Sequence, residues 1–360
     1  MELLSVTISD GVVPRTDIEG KDNSSEDKSN YKVVHAGDMV YNTMRMWQGA
    51  CGIAPTDGIV SPAYTILKRS SQFDLFFMAL RFKTEGLINE FRKHSQGLTS
   101  DTWNLKYPQI ATIKLRIPQI DEQQQIANFI ANLDERIAAQ RKLVELLKKH
   151  KRGLSNALFS GKVRLAKNGK WKSYRLGEIV RRVTRKNGKS SDVPLTISAQ
   201  YGLVDQREFF SKSVASADMS GYFLLKKNEF AYNRSSSSDY PFGSIKRLER
   251  YEQGVVSTLY ICFEALGDKD NAEFLKWYFD SFAWHREVGM ICAEGARNHG
   301  LLNVPTDGFF NTQHLLPTDK AERMKISSML ALAEARCQNA EGELARLTHL
   351  KTGLLQQLFV

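Results

Sequence analysis

Apolar residues recur at alternating steps of four and three along two long stretches of the chain. The first stripe runs through Ile126, Ile130, Leu133, Ile137, Gln140, Val144, Leu147, Lys151, Leu154 and Leu158, and the second through Ile326, Leu330, Ala333, Cys337, Ala340, Leu344, Leu347, Lys351, Leu354 and Leu358. A stripe of this period, kept up over several heptads, predicts a long helix that buries one seam against a partner helix. The stripes coincide at an interval of 200 positions, and Gly153-Leu154 and Leu158-Phe159 recur as Gly353-Leu354 and Leu358-Phe359. Each helix, expected near 121–159 and 319–359, should therefore pair with the other, antiparallel, over about 55 to 60 Å. A lysine recurs at one seam position, Lys151 and Lys351, where a polar residue costs stability and marks register. Each helix start reads as a capping box, Asp121 with Gln124 and Asp319 with Glu322, behind Pro118 and Pro317.

The segments before the helices repeat more faintly. Thr7-Ile8-Ser9 followed by Gly11-Val12-Val13 resembles Thr196-Ile197-Ser198 followed by Gly202-Leu203-Val204. Tyr41-Asn42 returns as Tyr232-Asn233, and Gly58-Ile59-Val60-Ser61 with Tyr64 returns as Gly254-Val255-Val256-Ser257 with Tyr260. Short β-branched runs bounded by Gly and Asn predict strands and turns. Helical patterns follow them around 73–92 and 272–288. The expected fold is mixed α/β: a first domain at 1–117, a long helix at 118–162, a second domain at 163–316 and a second long helix at 317–360, in a pseudo-twofold repeat.

No apolar run is long enough to cross a bilayer, and Met1-Glu2-Leu3-Leu4 does not open a signal peptide; a cytoplasmic protein is expected. Cys51, Cys262, Cys292 and Cys337 show no C-x-x-C spacing and read as structural thiols. The net charge of +10 and pI near 9.3 suit a chain that meets a polyanion. The excess concentrates in Trp171–Lys189, from which Arg181, Arg182, Arg185 and Lys186 are expected to contact phosphates. Asn233, Arg234 and Ser236, after Tyr232, have side chains that can reach base edges, as do Asn42, Arg45 and Gln48 after Tyr41. Lys246, Arg247, Arg297 and Asn298 are further DNA-binding candidates, while Tyr41 and Tyr232 are expected to pack beneath the loops.

The arrangement resembles the specificity subunit of type I restriction-modification systems. The resemblance rests on P-x-x-D-E-Q-Q-Q-I-A at Pro118–Ala127, opening a helix that ends in Leu154–Lys162, on Trp171 with Arg175-Leu176-Gly177-Glu178-Ile179, and on Gly295–Val304 ahead of the second helix. It implies two target recognition domains, each reading half of a split double-stranded DNA site, on an antiparallel coiled coil that docks methyltransferase subunits, two per chain. A translocase or restriction subunit completes such a complex. No W-x-x-x-x-L-G-E-I segment precedes the first domain and nothing like Ser160–Arg164 follows the second helix, so the first domain is expected to be N-terminally incomplete.

Catalysis finds little support. There is no N-P-P-[YF] or D-P-P-Y motif, no glycine-rich cofactor loop and no G-x-x-x-x-G-K-[ST], so no cofactor is expected. The carboxylates and lysine of Asp17–Lys21 are a nuclease half-motif of a kind common by chance, and the seven histidines form no metal pair. Two readings remain: a non-catalytic DNA-reading scaffold, or a coiled-coil adaptor or inactive remnant that no longer binds DNA. Phe129, Leu143, Leu146, Leu350 and Phe359 add apolar surface beyond the seam, where methyltransferase subunits are expected to pack.

Overall fold

The computed structural model describes residues 1–20, 24–166, 169–198, 201–209, 216, 218–237, 239–292, 300 and 302–359. The chain divides into two compact units, Met1–Leu143 with Ala340–Val360, and Val144–Asn339.

Unit 1 contains β1 (Glu2–Val6), β2 (Val12–Pro14), β3 (Lys32–Val34), β4 (Met39–Asn42), β5 (Cys51–Ile53), β6 (Gly58–Val60), β7 (Tyr64–Leu67), α1 (Leu75–Arg81), α2 (Glu85–His94) and α3 (Tyr107–Ile110). The strands form two sheets, β2-β1-β6-β3 and β5-β4-β7. Leu4, Val34, Val40 and Val60 fill one core cluster, and Met39, Tyr41, Phe77 and Phe91 another. The helical pattern around 73–92 is two helices, because Asp74 caps α1 by accepting from the Phe77 N–H at 2.8 Å and the chain breaks at Phe82–Thr84 before restarting.

Unit 2 repeats this plan with additions. It holds α4's last turns, where α4 is Ile120–Phe159, then β8 (Trp171–Arg175), α5 (Leu176–Ile179), β9 (Val180–Val183), β10 (Leu195–Ser198), β11 (Gly202–Asp205), α6 (Gln206–Phe209), β12 (Phe223–Lys226), β13 (Phe230–Asn233), β14 (Ser244–Arg247), β15 (Gln253–Val256), β16 (Ile261–Ala265), α7 (Lys269–Asp280), α8 (His285–Ile291), α9 (Thr306–Asn311), β17 (Gln313–Pro317) and the first turns of α10 (Lys320–Leu358). The pairings match strand for strand: β1 with β2 as β10 with β11, β3 with β6 as β12 with β15, and β4 between β5 and β7 as β13 between β14 and β16. The parallel contact of β1 with β6 returns as a single bridge, Pro194 to Val255. Register corrects one sequence pairing. Ser198 faces Gly202, and the Thr7 N–H bonds the Gly11 carbonyl at 2.7 Å, so Ser5-Val6-Thr7, rather than Thr7-Ile8-Ser9, corresponds to Thr196-Ile197-Ser198.

The helix seams lie where the heptads put them, except at Leu358, which is exposed. In unit 1, Leu133, Ile137 and Leu347 form a buried cluster with Leu344 and Leu354 against it, and the Gln140 amide donates to the Ala340 carbonyl at 2.9 Å. In unit 2, Leu158, Ile326 and Leu330 are buried with Leu154 beside them, Val144 is buried and Leu147 half-buried. Ile130 is fully buried and Ile126 packs on the first domain's core. In each unit the pairing runs antiparallel, and each seam lysine meets a carboxylate across it: Lys351 with Asp134 and Lys151 with Glu334, both at 2.5 Å.

Three expectations at the helices need correction. α4 begins at Ile120, so Asp121 is inside its first turn rather than capping it. Asp319 does cap α10, accepting from the Ala321 N–H at 2.9 Å, yet Glu322 turns away, and its Oε1 accepts from the Trp171 indole and the Leu165 N–H. Gln123, five residues after Pro118 as Glu322 is after Pro317, is likewise buried, accepting from the Asp74 N–H and donating to the Gln72 and Pro118 carbonyls. These positions pin each long helix to its own domain. Phe359 is no exposed docking residue: it is buried against Phe77 because the last turn of α10 folds into unit 1's core. Phe129, Leu143, Leu146 and Leu350 are exposed.

Candidate nucleic-acid interface

Both domains build the same loop after the same dipeptide. Tyr41 and Tyr232 are fully buried, and each is followed by an asparagine whose side-chain oxygen accepts a backbone N–H two residues on, Met44 from Asn42 and Ser235 from Asn233, each at 3.0 Å. An Asx turn therefore lifts the chain off the end of the central strand. Tyr232 also donates to the Phe242 carbonyl at 2.8 Å and stacks on Phe309, so it holds the loop from below as expected.

The next residue locks the loop down in both domains. In unit 1 Thr43 donates through its hydroxyl to the Ala63 carbonyl at 2.8 Å, and its own carbonyl accepts from the Leu105 N–H. In unit 2 Arg234 takes both roles: its guanidinium donates to the Leu259 carbonyl at 2.9 and 3.2 Å, and its carbonyl accepts from the Leu302 N–H. A further bond reaches the Val304 carbonyl at 3.2 Å. Arg234 is thus a brace across three segments, not the base-reading side chain that its residue type suggested. An arginine whose donors already meet carbonyls has few left for a base edge.

Three other predicted contacts are also engaged internally. Arg185 makes a two-pronged pair with Glu229, at 3.1 and 3.2 Å, and Glu229 is buried. The hydrogen bond that Arg185 donates to the Glu229 carboxylate holds the guanidinium pKa above its ordinary value. Lys246 is largely buried and pairs with Asp280 at 2.6 Å; burial pulls its pKa down, and Asp280 more than offsets this, so the ammonium stays charged. Arg247 is bound between Glu249 and Glu273 at 2.7 and 2.6 Å. These pairs tie the start of β13, β14 and α7 into the fold, and they are hidden in sequence because Glu229, Asp280 and Glu273 lie 26 to 44 residues from the basic groups they meet. Arg297 and Asn298 lie outside the described residues.

The remaining candidates do face outward. Arg182 on β9 is exposed, and Arg181 is exposed although it pairs with Glu264 at 2.6 Å. Lys186 is exposed over the Phe223 ring, with its ammonium on the Gly221 carbonyl. Ser236 is exposed, and Asn233 is half-buried by its turn. Arg182 lies level with Phe230, at the start of β13 and two strands over, while Asn233 ends that strand; strand geometry separates them by roughly 10 Å in each direction. In unit 1, Asn42, Arg45 and Gln48 are half-buried on a loop whose Trp47 meets Trp103 edge-on at 5.1 Å, with the Arg92 guanidinium over Trp47. Trp103 was missed. A tryptophan in the polar stretch Ser95–Asn104 was the available signal, since aromatic rings and arginine together suit base stacking or sugar contact.

Unit 2 contains one more polar group that sequence reasoning passed over. Thr312 donates its hydroxyl to the Phe309 carbonyl at 2.6 Å and so accepts from His314 Nε2, while His314 Nδ1 accepts from the Tyr278 hydroxyl, both at 2.8 Å. The network assigns a neutral imidazole, and burial lowers its pKa to about 4. His285, packed among Phe242, Phe282 and Trp284, is lowered to about 4 by the same cause. Neither has an open face for catalysis, and both are core residues. No helix among the described residues is long and apolar enough to cross a membrane.

Residues 14–149 match the family profile described as Type I restriction modification DNA specificity domain. The type I restriction enzyme MjaX specificity subunit of Methanocaldococcus jannaschii is 24% identical over 183 residues, which cover 48% of this chain and 41% of that protein. This chain thus matches about two fifths of that relative's length. The fold is that of the type I restriction-modification S subunit from M. genitalium, with a TM-score of 0.53 at 15% identity over 91% of this chain and 84% of that one. The HsdS subunit from Thermoanaerobacter tengcongensis gives 0.51 at 15% identity, over 97% and 85%. Residues 14–149 thus carry the type I restriction-modification DNA specificity domain, and the fold across both units is that of the two solved subunits.

Proposed function

We propose that the chain is the DNA-reading subunit of a type I restriction-modification complex, each unit recognising one half of a bipartite duplex site. The observation that carries this reading is the duplicated loop: the same Tyr-Asn strand end, Asx turn and locking position present two structurally equivalent loops whose outer residues differ, Arg45 and Gln48 in one and Ser236 in the other. A conserved frame with different tips suits two different half-sites. Arg182, Arg181 and Lys186 supply phosphate contacts. The helices act as the spacer between half-sites and, through Phe129, Leu143, Leu146 and Leu350, as the docking surface for methyltransferase subunits. The chain itself carries no catalytic step.

Binding of the purified chain to duplex DNA over a salt series tests the core of this reading, because phosphate contacts release counterions and give a steep log–log slope. Methylome sequencing of cells carrying the gene with a methyltransferase partner then gives the site, and removal of one heptad from both helices should shorten its unspecified spacer. A folded chain with no salt-dependent DNA binding would leave the adaptor reading standing instead.

A further inference from the structure

Leu98 of unit 1 stands fully exposed on a loop between α2 and α3. A lone apolar side chain on a surface is ordinary, but the backbone under this one is braced. Gln96 and Asn104 pair through both of their N–H groups, at 3.0 and 2.8 Å, and close a narrow hairpin. At its tip the Thr102 N–H bonds the Thr99 carbonyl at 2.9 Å, and the Thr102 hydroxyl accepts from the Thr99 N–H at 3.1 Å and donates to the Thr99 carbonyl at 2.9 Å. Gly97, at φ +147°, approaches so closely that a Cβ there would lie 2.6 Å from the Thr102 carbonyl oxygen. The hairpin stands on the candidate recognition loop, because Trp103 meets Trp47 and the Leu105 N–H bonds the Thr43 carbonyl at 2.8 Å.

The same end of unit 1 therefore presents Asn42, Arg45 and Gln48 on one loop and a rigidly held leucine on the next. In unit 2 the segment ahead of β10 follows β17 and β16 and turns to Glu229 at the start of β13, the end opposite Asn233, so a strand ahead of the repeated core does not cover the recognition end. Asp101 is the single charged residue of 96–104, and phosphates repel it, so the hairpin offers a duplex no attraction to its backbone. What it offers is a leucine with its whole surface free. Apolar side chains that enter a DNA groove part a base step, unstacking and kinking the duplex.

We propose that Leu98 is a wedge: on binding it parts one base step of the half-site read by unit 1, and that step is selected by how readily it unstacks. This rests on the DNA-reading function proposed above and adds readout by deformability to it, so the step should be pyrimidine–purine. The full chain, without methyltransferase, is titrated with duplexes carrying the site given by methylome sequencing and 2-aminopurine at each position in turn. The parent should raise the probe's fluorescence at one step of one half-site. Leu98→Ala should abolish that rise and weaken binding roughly tenfold, the burial of one leucine less the stacking that it breaks. Leu98→Met should keep both, and a mismatch at that step should tighten binding by the parent but not by Leu98→Ala, since a mismatched base costs less to unstack. Should Leu98→Ala not fold, Leu98→Ser decides. No rise at any position with the parent, or an equal rise with the alanine variant, would overturn the wedge and leave DNA reading in place, whereas a folded chain with no salt-dependent binding to any duplex would overturn both.

Discussion

Unit 1 locks its candidate recognition loop with a buried threonine, and unit 2 locks the equivalent loop with an arginine. Thr43 reaches one carbonyl, that of Ala63; Arg234 reaches the equivalent Leu259 carbonyl and Val304 besides. The backbone bonds around them, from Leu105 to Thr43 and from Leu302 to Arg234, are the same. The comparison separates frame from reader: a charged residue in a candidate recognition loop can be part of the frame, and its equivalent in the sister domain reveals this when the sister residue carries no charge. A second difference of this kind is His314 of unit 2, which stands where unit 1 has Leu115.

That last difference gives the largest expected effect. His314 and His285 are buried with pKa values lowered to about 4, against 6.5 when exposed. Between these values the unfolded chain binds more protons than the folded one, so stability is full above pH 6.5 and falls as pH drops toward 4. At pH 5 each histidine should cost unit 2 about 2 kcal/mol relative to pH 7, from about 1.4 kcal/mol per pH unit. Hydrogen exchange at the two pH values should show unit 2 loosening well before unit 1. His314→Leu, which installs the unit 1 residue, should remove about half of the difference; an acid response shared equally by the units would break the comparison.

Arg234 comes next. Arg234→Ala removes all of its brace contacts and should destabilise unit 2 by roughly 1 to 3 kcal/mol, while Thr43→Ala should cost unit 1 about 1 kcal/mol. Because the arginine belongs to the frame, the variant should bind DNA more weakly at both half-sites' sequences alike, with base preference intact. Relaxed preference at one base pair, with stability unchanged, would return Arg234 to the readers.

The helices were legible in the sequence because a heptad stripe is a local, periodic signal, and the seam from Ile126 to Leu354 was readable for that reason. The repetition of strands between the domains was legible in repeated dipeptides, although a hairpin register set by the turn at Gly11 slipped by two residues in the sequence comparison and the strand order came only from the structure. Charged side chains were the least legible. Arg185, Lys246 and Arg247 are indistinguishable in sequence from Arg182, and only the strand neighbours that bring Glu229, Asp280 and Glu273 beside them show that they are structural. The buried roles of Gln123 and Glu322 were hidden similarly, inside a run that scans as a cap.

Arg182 therefore offers the cleanest test of the phosphate-contact class. It is exposed, and Arg182→Ala should leave unit 2's stability within about 0.5 kcal/mol of the parent. Affinity should fall for every duplex sequence alike, with the salt slope reduced by about one. The contrast with Arg234→Ala is then complete, since one variant would change binding without stability and the other both. A stability loss at Arg182 comparable to that at Arg234 would dissolve the distinction.

The smallest effects belong to the helix pair, where the two units are most alike. Asp134 and Glu334 recur at the helix interval, as Lys151 and Lys351 do, so each unit has one lysine–carboxylate pair across its seam. All four side chains are partly exposed, and an ion pair in that setting contributes at most about 1 kcal/mol. Lys151→Leu and Lys351→Leu should each change stability by a few tenths of a kcal/mol, in the same direction in both units. Their value lies in register, because an antiparallel seam of Leu, Ile and Ala packs nearly as well after a slip of one heptad, whereas a lysine meets a carboxylate in one alignment only. Replacing both lysines and both carboxylates by leucine should therefore leave the helices stable yet weaken the single alignment, read as loss of the Gln140–Ala340 proximity by cross-linking between cysteines placed at those positions. If the all-leucine seam keeps one register, the lysines serve solubility, and the packing of Leu133, Ile137 and Leu347 sets the alignment alone.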